Sequence, residues 1–134
     1  MSTFKLTVVT PSKVIFDDEI DRVIVRTTSG DVGILANHAN YVAPLDIGMM
    51  KIVSGDKTKL AAVAGGMIKV DKEKTTILSN TCEWIEEIDV ARAERSAQRA
   101  RDYIKNPTEL HTLKVANIKL KRALNRIEIS KKNK

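Results

Sequence analysis

Thr81-Cys82-Glu83-Trp84-Ile85-Glu86-Glu87-Ile88-Asp89-Val90-Ala91-Arg92-Ala93 is the stretch in which the hydrophobic period changes. Before it, short β-branched runs are punctuated by turn residues. Phe4–Thr10 stops at Pro11-Ser12, Lys13–Phe16 at Asp17-Asp18, and Ile20–Arg26 near Ser29-Gly30. Asp31–Leu35, Gly48–Val53, Leu60–Ala64, Met67–Val70 and Thr75–Leu78 follow, with Ser54-Gly55-Asp56 and Gly65-Gly66 between them. Spacings of about ten residues predict an all-β sandwich or barrel. Downstream, Ala93, Ala97, Ala100 and Ile104 recur at steps of four, three and four, one face of a helix that Asp89 can cap. Asn106-Pro107-Thr108-Glu109 reads as the capping box of a second helix. Leu110, Leu113, Ala116, Leu120, Leu124 and Ile127 form its apolar face. The expectation is a β body, residues 1–84, followed by a two-helix arm, residues 85–134.

Charge divides at the same place. Residues 89–134 hold 13 Lys and Arg against 5 Asp and Glu, whereas residues 1–88 hold 10 against 12. The excess of +6 therefore sits on the helical arm. Such a chain docks through a neutral half and meets something anionic through the other. Aromatics are only 4%, so the core must be aliphatic. The lone Cys82 excludes an internal disulfide and is read as inert. No apolar run approaches the roughly 20 residues that span a bilayer, and the N-terminus lacks a signal-peptide pattern. The expectation is a soluble cytosolic protein, held at a membrane only through a partner.

Arg92 and Arg99 are seven residues apart and share a helix face; Arg122 and Arg126 are i,i+4 neighbours. If the helices fold back on each other, Arg92 and Arg122 stand nearly level, and four guanidiniums line one cleft with Asp89 near its mouth. A polyphosphate would neutralise them through bidentate hydrogen bonds. A solvated basic face is the alternative, and spacing alone favours it. His38 and His111 are isolated and read as structural. Gly30-Asp31-Val32-Gly33 reads as a tight turn without phosphate-loop spacing. Asp17-Asp18-Glu19 reads as a solvated acidic turn, and Trp84 as an anchor at the body-to-arm junction. No nucleophile–base pair and no metal cluster emerges, so a free-standing enzyme is not expected. The basic helices also fit a nucleic-acid-binding module, although they lack a stacking platform.

Val8-Val9-Thr10-Pro11, Ser29-Gly30-Asp31-Val32-Gly33-Ile34-Leu35-Ala36-Asn37-His38-Ala39, Pro44-Leu45, Ile47-Gly48 and Gly65-Gly66-Met67-Ile68-Lys69-Val70 form an ordered set. It continues through Ile88-Asp89-Val90-Ala91-Arg92-Ala93 and Lys121-Arg122-Ala123-Leu124-Asn125-Arg126. Over essentially its full length the chain resembles the epsilon-subunit family of bacterial F-type ATP synthases. It departs at Ala36-Asn37, where that family commonly has Pro-Gly.

The resemblance implies a β-sandwich of about ten strands followed by an antiparallel two-helix hairpin. It implies a non-catalytic rotor subunit, peripheral on the cytoplasmic face of the bacterial membrane, that couples c-ring rotation to ATP synthesis. The sandwich would bind the gamma subunit, with Gly30, Asp31, Gly33 and His38 on the c-ring side. The extended arm would carry Lys119, Arg122 and Arg126 to acidic loops of the beta subunit, between the alpha and beta subunits, and block hydrolysis. Some family members bind ATP in the folded form, through a motif matched here by Glu83, Ile88, Asp89, Arg92, Ala93, Arg99, Arg122 and Arg126. ATP, alone or with Mg, would be a regulatory ligand favouring the folded arm. No cofactor, nucleic acid or direct membrane insertion is implied.

Overall fold

The computed structural model describes residues 2–133, without the side chains of Leu110, His111 and Asn133. The roles expected of Leu110 and His111 thus lie outside the described residues. The chain divides into two compact units, Met1–Trp84 and Ile85–Lys134.

The first unit contains eight strands: β1 (Phe4–Val9), β2 (Val14–Ile20), β3 (Arg22–Thr27), β4 (Gly30–Leu35), β5 (Tyr41–Pro44), β6 (Ile47–Ser54), β7 (Lys57–Val70) and β8 (Lys74–Trp84). Hydrogen-bonded neighbours run β2-β1-β8-β7-β6-β3-β4, with β5 on β7. The two long strands explain how one ladder makes two layers. Residues 67–70 of β7 pair with β5, whereas residues 57–64 pair with β6. Residues 74–78 of β8 pair in parallel with β1. One layer is therefore β2-β1-β8-β7-β5 and the other β4-β3-β6-β7-β8, with β7 and β8 passing through both. Counted once per layer, the strands are ten; counted along the chain they are eight.

The crossing lies at Gly65-Gly66. In β7, Ala61 and Val63 belong to the core before the pair, and Ile68 and Val70 after it. Inward positions change from odd to even, which in a strand requires a local break in the pleat. β8 changes with it: Thr75, Ile77 and Ser79 are buried, then Cys82 and Trp84 face the core. Gly65 and Gly66 have φ of 75° and 115°. A Cβ on Gly66 would collide with the Leu78 carbonyl oxygen and lie 2.8 Å from Ser79 Cα. Only glycine admits this backbone approach.

The core is aliphatic, as composition demands: Leu6, Val8, Ile20, Val23, Val25, Ile34, Met50, Ile68 and Ile77 are essentially inaccessible. Trp84 packs edge-on against Phe16, ring centroids 6.2 Å apart, beneath the Lys59 ammonium. It serves the sandwich core.

Three local expectations change. Asp17-Asp18-Glu19 is not a turn but the exposed end of edge strand β2. There Asp17 meets Lys5 at 3.1 Å and accepts from the Thr7 hydroxyl, bonds that hold its carboxyl below an ordinary value of 3.8. Such charges discourage pairing with another chain's edge. Gly30-Asp31-Val32-Gly33 opens strand β4 rather than forming a turn, because Arg26 and Asp31 face each other across the β3–β4 ladder with Nε–Oδ1 at 2.9 Å. β5 was not anticipated. Asn37 explains the departure at Ala36-Asn37: its φ is 62°, a left-handed position that asparagine tolerates better than most side chains.

The second unit opens with a 3₁₀ turn, Ile85–Glu87, and continues as α1 (Val90–Lys105) and α2 (Leu110–Ser130). Asp89 caps α1, its carboxylate accepting from the Arg92 backbone N–H at 3.0 Å. The expected capping box does not form. Asn106 ends α1, its N–H donating to the Tyr103 carbonyl, and α2 starts after Glu109. The residue before a proline is steered out of helical backbone, so α1 ends at Asn106 with φ −134°, and α2 begins only after Glu109. Leu124, assigned to the apolar face of α2, is 39% exposed; Ala123 beside it is buried instead.

Replacing Gly66 by Ala should cost about 3 kcal/mol or more, from backbone strain plus collision. Urea unfolding followed by the Trp84 signal reads this out, and an unchanged midpoint would refute the proposed corner.

Candidate anion-binding site in the helical arm

Small residues let the two helices approach. Ala93, Ala97 and Ala100 of α1 and Ala116 and Ala123 of α2 are all buried. Tyr103 shares a cleft with Thr112 near the connecting loop, and Ser96 shares it with Arg126 further away, so the helices are antiparallel. The expected hairpin is present.

The hairpin has two lateral grooves of different chemistry. In one, Arg101 and Lys131 lie with Glu94 and Glu128, a balanced set. The other, of about 530 Å³, is lined by Arg99, Lys119, Arg122 and Arg126, and no Asp or Glu is among its lining residues. Within it the Arg99 Nη2 reaches the Ser96 hydroxyl at 3.4 Å. The Arg122 Nε is buried and has no hydrogen-bond partner among the described residues. A guanidinium N–H removed from water without a partner is costly, and an anion's oxygen would satisfy it. Ser96, Tyr103 and Thr112 add hydroxyls to the lining.

The structure brings together three of the four predicted arginines. Arg92 is exposed in the first turn of α1 and is not among the residues lining the cleft. It stands seven residues before Arg99 and so extends the same face of α1. Asp89 is occupied in capping, Ala93 is packed, and Ile88 is half-buried just before α1. Glu83 lies half-buried on β8, in the first unit. Tyr103, Ser96 and Thr112 were not singled out from sequence. The signal was there: Ser96, Arg99 and Tyr103 follow at steps of three and four.

The residues assigned to a ring-facing side are spread along β4 and the loop after it. Gly30 and Asp31 open β4, and His38 lies beyond its other end. Strand rise alone puts about 13 Å between Asp31 and Leu35. His38 Nδ1 lies 2.7 Å from the Ala39 carbonyl oxygen, and its ring meets Tyr41 edge-on. These contacts give His38 a structural role.

Comparison with known proteins agrees with both halves. Residues 3–85 match the β-sandwich domain of the ATP synthase delta/epsilon chain, and residues 86–131 match its long α-helix domain. The chain belongs to the ATP synthase delta/epsilon chain family. It is 48% identical over 130 residues to the ATP synthase epsilon chain of Alkaliphilus metalliredigens, covering 97% of each chain. It is 41% identical to the sodium ion specific ATP synthase epsilon chain of Propionigenium modestum, covering 97% of this chain and 95% of that one. A chain of the Euglena gracilis mitochondrial ATP synthase, solved as OSCP/F1/c-ring, shares the fold with a TM-score of 0.83 at 22% identity, over 93% of this chain and 79% of that chain. A chain from the central stalk and c-ring of the Tetrahymena thermophila enzyme matches with a TM-score of 0.63 at 15% identity, over 96% and 97%. Epsilon chains are structural or regulatory parts of the ATP synthase and not catalytic ones. Among the described residues no helix is long and apolar enough to cross a membrane.

Arg122→Ala should weaken binding of tripolyphosphate by about 1–3 kcal/mol, the value of a charge-assisted hydrogen bond. Arg101→Ala, in the balanced groove, should leave it unchanged. Equal losses in both variants, by isothermal titration, would reduce the cleft to general surface charge.

Proposed function

We propose that the chain is a rotor subunit of an F-type ATP synthase, in which the sandwich docks on the gamma subunit next to the c-ring and the arm restrains ATP hydrolysis. ATP is the proposed ligand of the folded arm. The carrying observation is the groove lined by Arg99, Arg122 and Arg126, in which the buried Arg122 Nε has no hydrogen-bond partner among the described residues. The arm offers no phosphate loop, so bound ATP acts as a ligand and is not consumed. Arg92, on the same face of α1, would meet a ligand longer than the cleft.

The sandwich supports the docking part of this reading. On the outer face of the first layer, Pro44, Met67, Leu78, Val9 and Val14 are register partners across β5, β7, β8, β1 and β2. Met67, Leu78 and Val14 are 40%, 47% and 62% exposed. A row of apolar side chains spanning a whole sheet is unusual on a free surface. Two registers further on, the same face carries Asp71, Lys74, Lys5 and Glu19, so the apolar end is local. A gamma subunit covering the apolar end would remove it from water. Leu78→Asp should then abolish copurification with gamma while the variant remains folded by circular dichroism; normal copurification would move the docking surface elsewhere.

Geometry supports the switch. The folded cleft draws arginines from both helices, and any opening of the hairpin separates them. ATP therefore favours the folded arm, because a ligand shifts an equilibrium by its differential affinity for the two states. With ATP scarce the arm opens. An α2 of 21 residues reaches about 32 Å and carries Lys119, Arg122 and Arg126 toward acidic loops of the alpha and beta subunits. Deleting residues after Glu87 should raise hydrolysis by the assembled complex most strongly at low ATP. The same rate in truncated and full-length complexes at low ATP would sink the switch and leave the rotor assignment standing.

A further inference from the structure

The loop between the helices is closed by one side chain. The Tyr103 phenol oxygen accepts from the Thr108 and Glu109 backbone N–H groups, each at 3.4 Å, and lies 3.0 Å from the Thr108 hydroxyl. With two N–H groups on its lone pairs, the phenol donates its own hydrogen to the Thr108 oxygen. The two amides belong to the last two residues before α2, and the expected capping box would have bonded the Glu109 N–H. Glu109, the residue before α2, makes no side-chain cap bond. A tyrosine from α1 thus does the work that the missing capping box would have done for α2.

We propose that Tyr103 is the positioning residue that latches the hairpin and so assembles the arginine cleft. Its oxygen can reach residues 108 and 109 only when the chain turns back at Asn106-Pro107, since in one continuous helix those residues lie five and six positions further along the axis. The latch is therefore made in the folded arm and lost in the open one. Its ring also lines the cleft beside Ala100 and Ala116. One residue then ties the turn to the position of Arg99, which lies four residues before Tyr103, relative to Arg122 and Arg126. The consequence for ATP rests on the reading proposed above; the latch itself does not.

Tyr103→Phe removes only the hydroxyl and keeps the ring. Spin labels at Arg95 and Asn117, both exposed, in a Cys82→Ser background of the full chain give the arm state directly. Backbones of packed helices lie about 8–10 Å apart, whereas a straightened arm separates these positions by roughly 33 Å. In Tyr103→Phe the open-to-closed ratio should rise about five- to tenfold, in line with the loss of one or two hydrogen bonds. Deuterium uptake at the 108 and 109 amides should rise with it. Thr108→Val should reproduce part of the shift and Thr108→Ser should not. The apparent dissociation constant for ATP should rise as the closed fraction falls. Unchanged distances and uptake in Tyr103→Phe would overturn the latch. Distances that shift while wild type and variant both ignore ATP would keep the latch and overturn the nucleotide reading.

Discussion

The contact on which the sandwich depends is the approach of Gly66 to the Leu78 carbonyl. A two-layer β-fold needs its layers joined, and here they are joined by strands that do not end. β7 and β8 run through both layers, changing inward parity together at Gly65-Gly66 and Ser79-Asn80. A β-carbon at Gly66 would push the strands apart and leave the two sets of core residues with no common interior. Other features follow from this corner. It lets β5 and β6 both pair with β7 on different segments, and it places β1 in parallel against β8. It also leaves Met67 and Leu78, immediately beyond the bend, paired on the outer face, where they begin the apolar row.

The arm solves a different problem. Two basic helices folded together repel each other, and screening over about 8 Å at physiological salt relieves this only in part. Close packing of alanines favours the hairpin, with the Tyr103 hydrogen bonds at its turn. One groove gathers Arg99, Lys119, Arg122 and Arg126 along its lining. Glu94 and Glu128 balance the other groove. The proposed response of the hairpin rests on this asymmetry. In the proposed reading a polyanion would stabilise the folded form by relieving repulsion, and an acidic surface elsewhere would compete for the same guanidiniums. A hairpin balanced on both sides would have little reason to respond to either.

The two halves therefore divide the work by chemistry. The sandwich carries the apolar row and little net charge, as suits a docking body. The arm carries the charge and the small-residue seam, as would suit the partner-changing element proposed above. Membership in the delta/epsilon chain family fits this division, with one family domain matched by each half.

The sequence by itself determined the place where β gives way to α and, β5 excepted, the order of elements, because hydrophobic period and turn residues are local properties. It also determined the cap at Asp89 and the alanine face of α1, each read from side chains within two turns of one another. The tertiary structure decided what depends on distant partners. Asp17-Asp18-Glu19 reads as a turn until Lys5 and Thr7 hold Asp17 in a strand from the neighbouring β1. Asn106-Pro107 reads as a helix start, but in the folded arm Asn106 closes α1 by donating to the Tyr103 carbonyl, and the Tyr103 phenol takes the two amides just before α2. The family resemblance groups four arginines as one site, but Arg99, Arg122 and Arg126 line one groove and Arg92 is not among its lining residues. Spacing along a helix fixes which face a residue takes, whereas the level at which two helices meet is set by how their side chains pack.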